Sequence, residues 1–114
     1  MKIYVDIDNT ICYTNEGDYP NSKPNYVNIS KVNELYKDHT IIMWTARGTM
    51  TGLNWFMLTQ KQLNEWNVKY HELRMGKPAF DILIDDKTLN SLYHWNNSNV
   101  NKILKINDEN KIMN

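Results

Sequence analysis

Two short apolar runs in this chain end in clustered carboxylates. Ile3-Tyr4-Val5 leads into Asp6-Ile7-Asp8-Asn9-Thr10, and Ile82-Leu83-Ile84 leads into Asp85-Asp86. β-branched and aromatic residues without polar alternation read as strands buried on both faces. Two such strands in a parallel sheet would deliver Asp6, Asp8, Asp85 and Asp86 to one edge, the edge at which open α/β sheets bind ligands. Carboxylates gathered there repel one another unless a cation holds them or one keeps a proton, so the pattern predicts a hard divalent metal, magnesium.

The elements that must position these acids follow from the remaining periodicity. Residues 2–6 read as the first strand. The stretch 15–24, rich in Asn, Gly, Pro and Ser, reads as a loop or hairpin excursion at the rim of the site. Ile29, Val32, Leu35 and Tyr36 recur at helical steps and predict a crossover helix over about 28–38. Residues 40–44 form a second buried strand, ending in Thr45-Ala46-Arg47-Gly48, where small residues allow close backbone approach to an anion. Leu53, Phe56, Leu63 and Trp66 predict a second helix over 51–66, with Asn67 suited to its end. Residues 68–73 read as a third strand, 74–78 as a turn enforced by Pro78, and 81–84 as a fourth strand. Leu89, Leu92, Tyr93 and Trp95 suggest a third helix. Strands alternating with helices imply βαβ units and a three-layer, Rossmann-like α/β domain with a central parallel sheet.

Composition agrees with one domain over residues 1–114, its core about 1–95 and a polar extension over 96–114. Its 114 residues are 41% hydrophobic and 23% charged, and 13 basic residues balance 13 acidic ones. That balance gives no global basic field for nucleic acid or an anionic membrane. The single cysteine, Cys12, has no internal disulfide partner and reads as a packing residue. No segment has the apolar core of a signal peptide or the length of a membrane span, so a cytoplasmic protein is expected.

Taken in order, Asp6-Ile7-Asp8-Asn9-Thr10, Thr45 after Ile41-Ile42-Met43-Trp44, Lys77, and Asp85-Asp86 resemble the four motifs of the haloacid dehalogenase superfamily of phosphohydrolases. The resemblance covers about residues 1–95, and Asn9 stands where glycine is commonest in the family. It implies that Asp6 attacks phosphorus to form an aspartyl-phosphate that water then cleaves. It further implies magnesium held by Asp6, the Asp8 carbonyl and Asp85, with Asp86 either a further ligand or an acceptor behind them. Lys77 would set positive charge beside Asp6, while Thr45 and Ala46 with the backbone after them would bind phosphate oxygens. Asp8 would protonate the leaving oxygen and then accept a proton from water. Family ATPases and dehalogenases lack that second acid, so Asp8 points to a phosphatase or mutase, and the absence of a large cap favours hydrolysis.

The gaps between motifs hold no large cap, which implies an open site or one closed by a neighbouring subunit in a homo-oligomer. The segments around Trp44-Thr45-Ala46-Arg47-Gly48 and Gly76-Lys77-Pro78 look most like small capless phosphatases of capsule or polysaccharide biosynthesis, hence a sugar phosphate substrate. They are also similar to the phosphatase domain of phage polynucleotide kinases, which acts on nucleic acid 3′ ends. The rival of another class is a phospho-receiver domain or a phosphate-binding, non-enzymatic relative. A receiver orders its acids and lysine differently along the chain. Blander readings are Thr45 as a helix cap, Lys77 as a solvated loop residue and Asp86 as a cap of the following helix. Arg47 reads equally as a ligand of a second substrate anion and as a surface salt bridge. His39, His71 and His94 read as structural, and Trp44, Trp55, Trp66 and Trp95 as core, with Trp55 the one near the substrate loop.

Overall fold

The computed structural model describes residues 1–113, with side chains to residue 109; Asn114, the end of the polar extension, lies outside the described residues. The chain forms two compact units, Met1–Asp81 and Ile82–Asn114.

The first unit is built on a parallel sheet. Strands β1 (Lys2–Val5), β4 (Thr40–Trp44) and β5 (Glu72–Arg74) lie in the order β1-β4-β5. Ile3 pairs with Ile41 and Val5 with Met43, while Met43 pairs with Leu73 on the other side. Both pairings are parallel, which requires a crossover each time. Helix α1 (Tyr26–Tyr36) lies between β1 and β4 in the chain, and α2 (Phe56–Glu65) between β4 and β5. The central strand is the driest element: Ile41, Ile42 and Met43 are buried, as a strand packed on both faces demands.

Helix α1 starts at an Asn25 cap whose side chain accepts from the Asn28 amide, and it buries Ile29, Val32 and Leu35. Asn28 also donates to the Thr10 carbonyl at 2.8 Å, tying the start of α1 to the turn after β1. At its far end Asn33 bridges the Asn67 carbonyl and the Lys69 amide. Asn67 ends α2 at φ +56°, a left-handed conformation that asparagine tolerates. The excursion after β1 is a hairpin of β2 (Cys12–Tyr13) and β3 (Lys23–Pro24), with a short 3-10 turn at Tyr19–Asn21.

The second helix begins later than its apolar pattern suggests. Leu53 is exposed, and residues 46–52 form turns in which Gly48 and Gly52 take positive φ. A Cβ on Gly48, at φ +80°, would collide with the Leu53 carbonyl oxygen and press on the Trp55 indole. Gly48→Ala is therefore expected to destabilise by more than the ~1–2 kcal/mol of a left-handed backbone alone. Thermal unfolding checks this: a midpoint lowered by at least about 5 °C is expected, and an unchanged one would contradict the assigned turn.

The second unit departs from the sequence expectation. Residues 81–84 form no strand, and Ile82, Leu83 and Ile84 are exposed. The turn that follows is satisfied locally, the Lys87 amide donating to Asp85 Oδ1 at 3.2 Å, and such side-chain turns compete with extended pairing. A helix over 89–95 is also absent. Asn90 caps a single turn there, accepting from the Leu92 amide on its side chain and from Tyr93 and His94 on its carbonyl. Most of the expected polar extension is instead helix α3 (Asn97–Met113). Among the described residues no helix is long and apolar enough to cross a membrane.

Candidate active site

Asp6 follows β1 directly, at the C-terminal end of the sheet, and Thr45 directly follows the adjacent strand β4. The turn after β1 is closed by the Thr10 and Ile11 amides, both donating to the Ile7 carbonyl. Asn9 supports that turn at φ +58°, where a glycine is the easiest residue, and its side chain accepts from the Thr14 amide. The departure from the commonest motif residue thus leaves the backbone geometry available.

Lys77 lies beside Asp6, its Nζ 3.4 Å from Oδ1, while the Thr10 hydroxyl donates to Oδ2 at 3.2 Å. The loop carrying Lys77 is anchored to the loop after β4. The Lys77 amide donates to the Thr45 carbonyl at 3.0 Å, and the Thr49 hydroxyl donates to the Lys77 carbonyl at 2.8 Å. The ammonium also lies over the rings of Trp44 and Phe80, at 5.7 and 5.3 Å. A lysine so confined is a placed charge rather than a solvated one.

Burial raises the Asp6 carboxyl above its ordinary range, against the lowering effects of Lys77, the Ile7 amide and Thr10. Asp8 adds to the rise. A carboxyl that holds its proton more tightly folded than unfolded makes stability fall as pH rises, from about pH 4 up through its folded value. In the metal-free protein, Asp6→Asn is expected to flatten that fall and to raise the unfolding midpoint at neutral pH. Melts across pH 4 to 8 in chelator check it; an unchanged slope would show that Asp6 ionises without penalty.

Thr45 is 1% exposed, and its Oγ1 accepts from the Arg47 amide at 3.1 Å. Ala46 is half-buried beside it. The structure therefore brings Asp6, Thr45, Ala46 and Lys77 to one end of the sheet.

Arg47 is buried, which corrects the reading of it as a surface salt bridge. Its side chain is fully enclosed and binds Asp8, with Nη2 2.8 Å from Oδ1 and Nε 3.0 Å from Oδ2. Nη1 donates to Thr59 and Gln62, and the Tyr19 ring covers the guanidinium at 4.8 Å. Trp55 packs edge-on against Tyr19. A buried guanidinium without partners would be prohibitively costly, which is why it is enclosed by oxygens. Thr59 and Gln62 were missed in the sequence. The available signal was two polar residues on the face of α2 that also carries Leu63 and Trp66.

Asp85 and Asp86 belong to the second unit and are exposed. A hydrogen bond with Asp86 and the Lys87 amide hold the Asp85 carboxyl below its ordinary value. Among the described residues no group of three or more His, Cys, Asp or Glu is disposed to hold a metal ion. Asp6 and Asp8 are hard oxygen donors of the type that magnesium takes. Cys12 is buried and in contact with Asp8 Oδ1 at 3.7 Å, and His71 and His94 accept backbone amides, in keeping with structural roles.

No family model matches the chain, and no curated protein matches it. Among solved structures, a crystal structure of a target protein from Vibrio cholerae is similar to it, with a TM-score of 0.78 and 23% identity, over 93% of this chain and 98% of that one. The likeness shows the fold alone. The chain is an α/β protein with a parallel sheet, and its chemistry must be argued from its own side chains.

Proposed function

We propose that this protein is a capless phosphomonoester hydrolase of the haloacid dehalogenase type, with a Rossmann-like core and an aspartyl-phosphate intermediate on Asp6. The observation that carries the reading is the Asp6–Lys77 pair at 3.4 Å beside Thr45, on the ligand-binding edge of a parallel sheet. A carboxylate attacks a phosphate only where their mutual repulsion is offset, and the confined ammonium of Lys77 supplies part of that offset. In this reading the Thr45 hydroxyl and the Ala46 amide would donate to the phosphate oxygens. Asp8, two residues beyond the nucleophile, protonates the departing oxygen and then takes a proton from the attacking water.

Magnesium belongs to the proposal as a cation that Asp6 and the Asp8 carbonyl would hold, where it would neutralise charge on the phosphate. The bond-making itself rests on Asp6 and the proton transfers on Asp8.

The substrate class proposed is a small phosphorylated metabolite, foremost a sugar phosphate, since the chain has no net charge to gather a polyanion. Phosphate release from a generic aryl phosphate, with and without magnesium, tests the reading. Metal-stimulated release is expected, followed by preference for sugar phosphates over 3′-phosphorylated oligonucleotides. No release from any ester would overturn it.

A further inference from the structure

The environment of the Asp8 carboxyl is asymmetric, and that asymmetry deepens the reading just given, on which the following rests. Oδ1 accepts from Arg47 Nη2 at 2.8 Å and from the Thr14 hydroxyl at 2.6 Å, with the Cys12 thiol nearby. Among the described residues Oδ2 has one close donor, Arg47 Nε at 3.0 Å. The side chain keeps 22% of its surface exposed, whereas that of Arg47 has none.

Every N–H of the guanidinium has an acceptor. Nε and one Nη2 hydrogen go to Asp8, the second Nη2 hydrogen reaches Ser22 Oγ at 3.5 Å, and Nη1 donates to Thr59 Oγ1 at 3.1 Å and to Gln62 Oε1 at 2.6 Å. Gln62 is fixed in turn by donating to the Tyr19 carbonyl at 2.7 Å. The two hydroxyls of Thr14 and Ser22 are 2.7 Å apart, so one chain of hydrogen bonds runs from Arg47 through Ser22 and Thr14 back to Asp8 Oδ1. The plane of the carboxyl is therefore set from helix α2, from the hairpin and from the loop after β4 together. A fork of fixed geometry can impose that plane, and a single ammonium cannot.

We propose that Arg47 is a positioning residue for Asp8: the enclosed guanidinium saturates Oδ1 and leaves Oδ2 as the oxygen that exchanges the proton. In the first step the Asp6–phosphorus bond forms as the ester phosphorus–oxygen bond breaks, and the Oδ2 proton passes to the departing oxygen, giving a neutral alcohol. In the second step water attacks the phosphoryl group, Oδ2 takes a proton from that water, and Asp6 leaves as its carboxylate with inorganic phosphate released.

A group that positions an acid matters most when the leaving group needs protonation. In Arg47→Met, kcat/KM, which reports the steps up to alcohol release, is expected to fall about 100-fold on an alkyl phosphate but less than about 5-fold on 2,4-dinitrophenyl phosphate. A merely structural role would lower both equally. Should Arg47→Met fail to fold, Arg47→Lys keeps the charge without the fork and is expected to show the same dependence on the ester. An equal loss on both esters, or no loss, overturns the positioning role while leaving the phosphatase reading intact. A wild-type protein inactive on both esters overturns the phosphatase reading itself.

Discussion

Asp6→Asn is expected to lower phosphate release by at least about 10⁴-fold while the protein stays folded and still binds inorganic phosphate. The size of the effect follows from the site's lack of a substitute. Asp8, the other carboxyl near the end of β1, is engaged by Arg47 and Thr14. An amide at position 6 keeps the shape of the side chain and can still face Lys77, but it offers no anionic oxygen to phosphorus. Loss of turnover with retained phosphate binding, read by phosphate release and by calorimetric titration, is the expected pair of results. A residual rate within about tenfold of wild type would place the nucleophile elsewhere or replace it with directly attacking water.

The second large effect is expected at Asp8. Asp8→Asn removes the proton donor of the first step and the acceptor of the second, so each should slow by roughly 10²–10⁴-fold. The two losses are separable by choice of ester. With a good leaving group the first step needs little protonation, and phosphoryl transfer to Asp6 continues while hydrolysis stalls. Rapid mixing of that variant with a dinitrophenyl ester should give a burst of phenolate approaching one equivalent, followed by a slow steady state. Normal turnover would remove Asp8 from the chemistry, and Arg47 would then be left as a purely structural ion pair.

Much of the first unit is legible in the sequence because its signals are local. The run 40–44 is uniformly apolar and forms β4 with the expected bounds, and the three- and four-residue spacing of Ile29, Val32 and Leu35 marks the buried face of α1. The fourth-strand reading fails because an apolar run specifies only that a strand is possible. Whether Ile82-Leu83-Ile84 pairs depends on a partner edge and on competition from the Asp85 turn, and neither is written in those three residues.

The site divides in the same way. Asp6, Asp8, Thr45 and Lys77 announce themselves by type and by position at strand ends. Arg47 was visible, but its direction was not. An arginine two residues beyond a strand reads as surface until Thr59 and Gln62, 12 and 15 residues later, are placed on the inward face of α2. A polar pair on an otherwise apolar helical face is the sequence trace of a buried ion, and it becomes interpretable once the ion's position is known.

If Asp6 is the nucleophile, the phosphoryl group can be caught on it. Asp8→Asn is mixed with a ³²P-labelled phosphomonoester in magnesium, quenched in acid and digested, and the labelled peptide is treated with hydroxylamine. Near-stoichiometric label is expected on the peptide containing Asp6, released by hydroxylamine as an acyl phosphate is, and absent from the variant that also carries Asp6→Asn. Label on another residue, or phosphate release without any covalent label, would contradict it.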